Sequence, residues 1–165
     1  MKLYISSDHA GFELKRHLVE YLGANGIEVV DKGPFDYDPH DDYTDWISLV
    51  ADEVSKNPGS ARGIVIGLSG QGEAMAANKF LNVRAALFYG LSVVFRDSGD
   101  DKTPDPYEII RLAREHNDAN VLSIGAKFVS KKEAEKAVDI WIDTQFSNEE
   151  RHKRRIDKLN TLGHD

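Results

Sequence analysis

No cysteine occurs in the 165 residues. That excludes disulfide staples, thiolate metal sites and a thiol nucleophile, and it fits a reducing compartment. No apolar run approaches the roughly 20 residues that span a bilayer. The opening stretch MKLYISSDHAG turns polar at once, without the apolar core of a secretory signal. The expectation is a cytoplasmic protein with no membrane partner. Positive charge is in deficit, with 21 Lys and Arg against 28 Asp and Glu and a net charge of −7. That balance argues against general nucleic-acid binding. Internal repeats and low-complexity tracts are missing too, which sets aside solenoid architectures.

What remains is an ordinary globular composition, 41% hydrophobic, long enough to bury a core without staples. One domain over residues 1–165 is expected. The charge is uneven: DYDPHDDYTD at 36–45 is acidic and RHKRR at 151–155 is basic. Runs of β-forming residues predict strands over 2–6, 27–31, 62–67, 83–89 and 120–125. Helical spacing of apolar residues predicts helices over 12–23, 43–56, 73–80 and 107–115, with two more over about 131–145 and 148–162. Residues 97–106 read as a polar Pro/Gly loop. Strands alternating with helices imply an α/β fold, a parallel sheet with helices on both faces. Ligands in such folds bind outside the carboxyl ends of the strands. That edge carries Ser7, Asp8 and His9, the turn from Ser69 to Glu73, and the segments after residues 89 and 125.

The turn GLSGQGEAMAANK, residues 67–79, carries the sharpest question. Gly67-x-x-Gly70-x-Gly72 lets backbone amides approach an anion at a helix start. It fails as a dinucleotide fingerprint because Met75 stands at the third glycine position. It fails as a phosphate-binding P-loop because no Gly-Lys-Ser/Thr follows, and as a nucleophile elbow because Gln71 replaces a glycine. Glu73 is either a good first-turn residue or a base held beside an anion-binding turn. SDHAG at 7–11 offers Asp8 as a helix N-cap, or Asp8 and His9 as holders of hydroxyls or phosphate. In REHNDAN at 114–120, His116 is a dipole partner of its helix or an acid–base group beside Asn117. Arg151 and Arg155 share one helical face and either stand in solvent or fork onto a phosphate. The acidic loop lacks the spacing of a calcium-binding loop and reads mostly as solvated chain.

SSDHAGFELK, GLSGQGEAMAANK, REHNDAN and ERHKRRID occur here in the order found in one family. The sequence resembles the ribose-5-phosphate isomerase B family, with its related galactose-6-phosphate isomerase subunits, over nearly the whole chain. The resemblance implies a Rossmann-like three-layer α/β/α fold around a five-stranded parallel sheet. It implies a homodimer or tetramer with shared active sites, the helix of about 148–162 at the dimer interface, and interconversion of aldose and ketose phosphates through a cis-enediolate, with neither cofactor nor metal. One branch of the family uses a cysteine base after the third strand and the other a glutamate. This sequence resembles the glutamate branch, with Gly67 at the cysteine position. Carried over, Glu73 shuttles the proton between C1 and C2. Ser69 and the amides around Gly70, Gly72 and Glu73 stabilise the enediolate oxygen. His116 assists ring opening, Asn117 holds a substrate oxygen and Asp8 a hydroxyl. His9, Arg151 and Arg155 hold the phosphate, and Tyr43 lines the pocket.

Two departures stand out. Lys127 occupies the place of a phosphate-binding arginine, keeping the charge without the fork. The segment from about residue 90 to 107 is longer than the family carries, at the ligand edge, where a long loop tends to be functional; it is expected to alter substrate choice. The sugar, with four, five or six carbons, stays open. Two other functions compete: a subunit of a heteromeric isomerase, and a non-catalytic binder of phosphorylated metabolites on the same fold.

Overall fold

The computed structural model describes residues 1–92 and 105–162. Along the chain run β1 (Lys2–Ser7), α1 (Phe12–Ala24), β2 (Val29–Asp31), α2 (Tyr43–Lys56), β3 (Ala61–Gly67), α3 (Gln71–Ala77), β4 (Ala85–Phe88), α4 (Glu108–Asn117), β5 (Val121–Gly125), α5 (Lys131–Asp143) and α6 (Glu150–Leu159). The strands form one sheet in the order β2-β1-β3-β5-β4, every pair parallel.

Register and the two-residue period of a strand sort the side chains into two cores. Ile5 lies opposite Ile64, and Ile64 opposite Leu122. That row, with Leu3, Ile66 and Ile124, packs on Leu14, Leu18, Ile110, Val138 and Trp141 of α1, α4 and α5. The alternate residues Tyr4, Val65 and Val121 pack on Ile47, Val50 and Val54 of α2 and Ala77 of α3. The result is the three-layer α/β/α arrangement the sequence implies. Ile64, Val65 and Ile66 are wholly buried, and each contributes about 1.5–3 kcal/mol by leaving water. Among the described residues, no helix is long and apolar enough to cross a membrane.

Several element boundaries differ from the sequence reading, and in three elements the local reason is clear. Ile27 donates its amide to Leu22 O at 2.9 Å, so it closes α1 and β2 starts two residues later. Arg84 N is taken by the Asn120 side chain at 2.8 Å, so β4 starts at Ala85. Gly70, left-handed at φ 76°, starts α3 two residues before Glu73, and the Asn78 side chain then bonds Ala85 in both directions and ends it. Of the predicted loop at 97–106, residues 97–104 lie outside the described residues, as do 93–96 of the longer segment 90–107; Ser92 N donates to Pro106 O at 3.1 Å.

The chain leaves β1 outward to β2 and returns past it to β3, so direction reverses between β1 and β3. Their carboxyl ends and that of β5 are laced together: Asp8 N to Ile66 O at 3.1 Å, Ala126 N to Gly67 O at 2.8 Å, Lys127 N to Leu68 O at 3.1 Å. A crevice outside such a switch point is where this class of fold holds ligands. At the opposite edge, α4 ends just before β5 and α6 packs against it.

Candidate active site

Glycines shape the turn after β3. A Cβ on Gly70 would sit 2.7 Å from Leu87 Cδ1 and 3.0 Å from Gly125 N, and the positive φ is itself unfavourable for other residues. Ser123 Oγ donates to Gly70 O at 2.6 Å and fixes the turn to β5. Ser69 Oγ accepts from Gln71 N at 3.3 Å. In the first turn of α3, Glu73 points inward and is only 4% exposed. A Cβ on Gly67 would lie 1.8 Å from Glu73 Oε1. The absent side chain is what gives the carboxylate its place at the end of the central strand. Tyr43, at the start of α2, stands over the same turn, its Cζ 3.0 Å from where a Gly72 Cβ would be.

At the end of β1, Asp8 is buried and accepts from Gly11 N at 3.0 Å. It is not the N-cap of α1; Gly11 is, without a side-chain cap bond. His9 Nδ1 and Asp41 Oδ1 are 2.6 Å apart, and His9 N donates to the same oxygen at 3.0 Å. Burial pushes the Glu73 carboxyl above its ordinary range; its own amide and that of Gly70 pull back, and the nearby charge of Asp8 pushes further up. Burial likewise raises Asp8. The bond to Asp41 raises His9. A buried carboxyl with a raised pKa, beside amides and a hydroxyl, is a base suited to work near neutrality.

His116 and Asn117 end α4 at the other edge of the sheet. Five-residue β5 separates the two edges, roughly 13 Å or more at about 3.3 Å per residue. The His116 ring lies 4.3 Å from that of His152, the one buried residue of α6. Arg151 and Arg155 are exposed on that helix, Arg151 paired with Glu149 at 2.7 Å. Asn117 also lines a cleft of about 460 Å³ between β4, α4 and α6. Asp8, His9, Tyr43, Ser69, Gly70, Gly72, Glu73 and Lys127 are therefore gathered at one edge. His116, Asn117, Arg151 and Arg155 are gathered at the other.

A family model described as Ribose/Galactose Isomerase matches residues 3–96 and 105–159. The chain belongs to this family of isomerases. Ribose-5-phosphate isomerase B of Mycobacterium leprae is 40% identical over 159 residues, 96% of this chain and 88% of that one. The Escherichia coli protein of the same name is 33% identical over 161 residues, 98% and 95% of the two chains. The crystal structure of ribose-5-phosphate isomerase B from Mycoplasma genitalium with bound ribulose 5-phosphate superposes with a TM-score of 0.83 at 39% identity, covering 96% and 93%. The family match passes over residues 97–104, within the segment that read as longer than the family carries.

Three features of this isomerase escaped the sequence. Asp41 came from the acidic loop that read as solvated, yet its side chain is only 6% exposed. His152 was hidden inside a basic run; its burial on an otherwise exposed helix could have been suspected only from the helix's packing. Arg84 and Arg114 both pair with Asp118, at 2.9 and 2.8 Å, and Arg84 Nε donates to Asn117 O at 2.9 Å. That cluster holds the end of α4 and so His116. Among the described residues, no group of three or more His, Asp or Glu is placed to hold a metal ion.

Proposed function

We propose that the chain interconverts ribose 5-phosphate and ribulose 5-phosphate by proton transfer through a cis-enediolate. The observation that carries this is the buried Glu73 carboxylate, seated against Gly67 at the end of the central strand. The ribulose 5-phosphate bound to the Mycoplasma genitalium relative supports the choice of sugar.

Glu73 takes the proton from C2 of the open-chain aldose and returns it to C1, while the proton of the C2 hydroxyl passes to the C1 oxygen, leaving the ketone at C2. The charge that develops on the carbonyl oxygen is met by Ser69 and the amides around Gly70 and Gly72. Asp8 accepts from a sugar hydroxyl, and Tyr43 walls the pocket. His9, Lys127, Arg151 and Arg155 hold the phosphate. His116 moves the proton that opens the ring, and Asn117 holds a substrate oxygen.

These residues lie at opposite edges of one sheet, so one chain does not gather them around one sugar. The arrangement supports a two-fold dimer in which each site takes Glu73 from one protomer and His116, Arg151 and Arg155 from its partner. The exposed α6, within the segment 148–162, is the element that reaches across. The whole span 1–165 works as one isomerase domain in the cytoplasm.

The test is proton exchange. The purified chain in deuterated water, given four-, five- and six-carbon sugar phosphates, is expected to exchange the C1/C2 proton of ribose 5-phosphate, read by NMR. Glu73→Gln is expected to abolish the exchange. Exchange that survives Glu73→Gln, or a different preferred sugar, overturns the assignment. Binding without exchange would favour a non-catalytic binder.

A further inference from the structure

The segment 36–45, which runs from the loop after β2 into the first turn of α2, carries five aspartates, and the isomerase mechanism uses none of them. Four are exposed. Asp41 is turned inward, its side chain 6% exposed. Its Oδ1 receives both the backbone amide and the ring of His9. Its Oδ2 is buried and has no hydrogen-bond partner among the described residues.

We propose that Asp41 is a substrate-positioning residue of this isomerase: it fixes His9 with the proton on Nδ1 and Nε2 turned to the sugar phosphate. The proposal rests on the reading of His9 as a phosphate holder. A carboxylate only accepts hydrogen bonds, so the ring nitrogen facing Asp41 must carry a hydrogen. Nε2 is then the atom left for ligand, and it donates only when the ring is protonated. The charged groups facing His9 are Asp8 on its own segment and Asp38 and Asp41 on the acidic loop, all negative. Each favours the imidazolium, and the direct bond to Asp41 does so most. A cationic donor held in one orientation suits a dianionic phosphate.

The experiment compares the unaltered chain with Asp41→Asn and, as a charge control in the same loop, Asp36→Asn. NMR titration of His9 in the free protein is expected to place its midpoint above the ordinary imidazole range in the unaltered chain and within that range in Asp41→Asn. KM for ribose 5-phosphate is expected to rise about tenfold in Asp41→Asn, as for loss of one hydrogen bond to a charged group, with kcat changed far less. The alkaline limb of kcat/KM should move to lower pH, because His9 loses its proton earlier. Asp36→Asn should change none of these. An ordinary His9 midpoint in the unaltered chain overturns the proposal without any variant having to fold. So does an unchanged KM in Asp41→Asn, or an equal effect of Asp36→Asn. Should the unaltered chain turn over no sugar phosphate, the isomerase reading fails, and the His9 titration still decides the pairing with Asp41.

Discussion

At the carboxyl edge of the sheet, position is set by backbone. Gly67 leaves room for the Glu73 carboxylate, Gly70 turns the chain against Gly125, and a Cβ on Gly125 would meet Ser69 O at 2.6 Å. At the amino edge, position is set by long side chains. Arg84 and Arg114 converge on Asp118 and on carbonyl oxygens at the end of α4. The first kind of site tolerates no added atom. The second depends on charge and tolerates small shifts. In the proposed mechanism the step that needs ångström placement, proton abstraction from carbon, falls to the backbone-built edge. In the same mechanism ring opening falls to the other edge, and phosphate holding is shared between the two.

The sharpest way to break this comparison is to separate the two edges. Glu73→Gln should cost about 10³-fold in kcat, within the range for a general base. A second inactive variant, His116→Ala with Arg155→Ala, removes the other edge. Unfolding and refolding the two together should restore about a quarter of the unaltered activity, because half the two-fold dimers are mixed and each mixed dimer carries one intact site. A mixture that stays inactive would mean that each chain completes its own site.

Gly67→Ala comes next. The added methyl meets the end of a flexible side chain, so the fold should survive while the carboxylate moves. A loss of about 10²-fold in kcat is expected, the scale of a one-ångström misplacement, with an unchanged thermal midpoint. Gly11→Ala is the contrast, since its methyl would meet Ile66 O at 2.4 Å; that variant should lose stability as well as activity.

A smaller effect separates burial from charge at the base. Glu73 must be ionised to accept a proton, so the acid limb of kcat should lie above the ordinary carboxylate range. Asp8 adds to that rise. Asp8→Asn should therefore move the acid limb to lower pH, whatever it does to the rate. A limb that stays in place would leave burial as the whole cause.

The smallest expected change is Ser123→Ala. Its hydroxyl bonds Gly70 O at 2.6 Å in a buried setting. Chemical denaturation should show a loss of about 1 kcal/mol, the net worth of one such bond, with a modest rise in KM.

Much of this was legible along the chain. The alternation of β-forming runs and helical stripes yields the layers, because a strand's period of two and a helix's period of 3.6 leave different marks. The glycines around Glu73 mark a close approach of backbone, and Gly70, at φ 76° and with a Cβ position 2.7 Å from Leu87 Cδ1, favours glycine most strongly. The roles of His116, Asn117, Arg151 and Arg155 rested on family likeness, since each has an ordinary surface explanation. Asp41 was not legible at all. It is one aspartate among five, and its burial depends on distant packing. The Lys15 ammonium, buried under the loop, bonds Asp31 and Pro34 O and anchors the segment that leads to Asp41. His152 was hidden for the same reason: its ring is buried by α4, far away in sequence.

The amino-acid sequence by itself determined the strand and helix order, the glycine turn and the carboxylate placed in it, because those depend on local periodicity and on backbone freedom at single residues. Only the tertiary structure decided which aspartate meets His9, which histidine lies under His116, and that Glu73 and His116 stand at opposite edges of one sheet. Those outcomes depend on contacts between residues far apart in the chain, and the parallel crossover topology alone determines which ends come together.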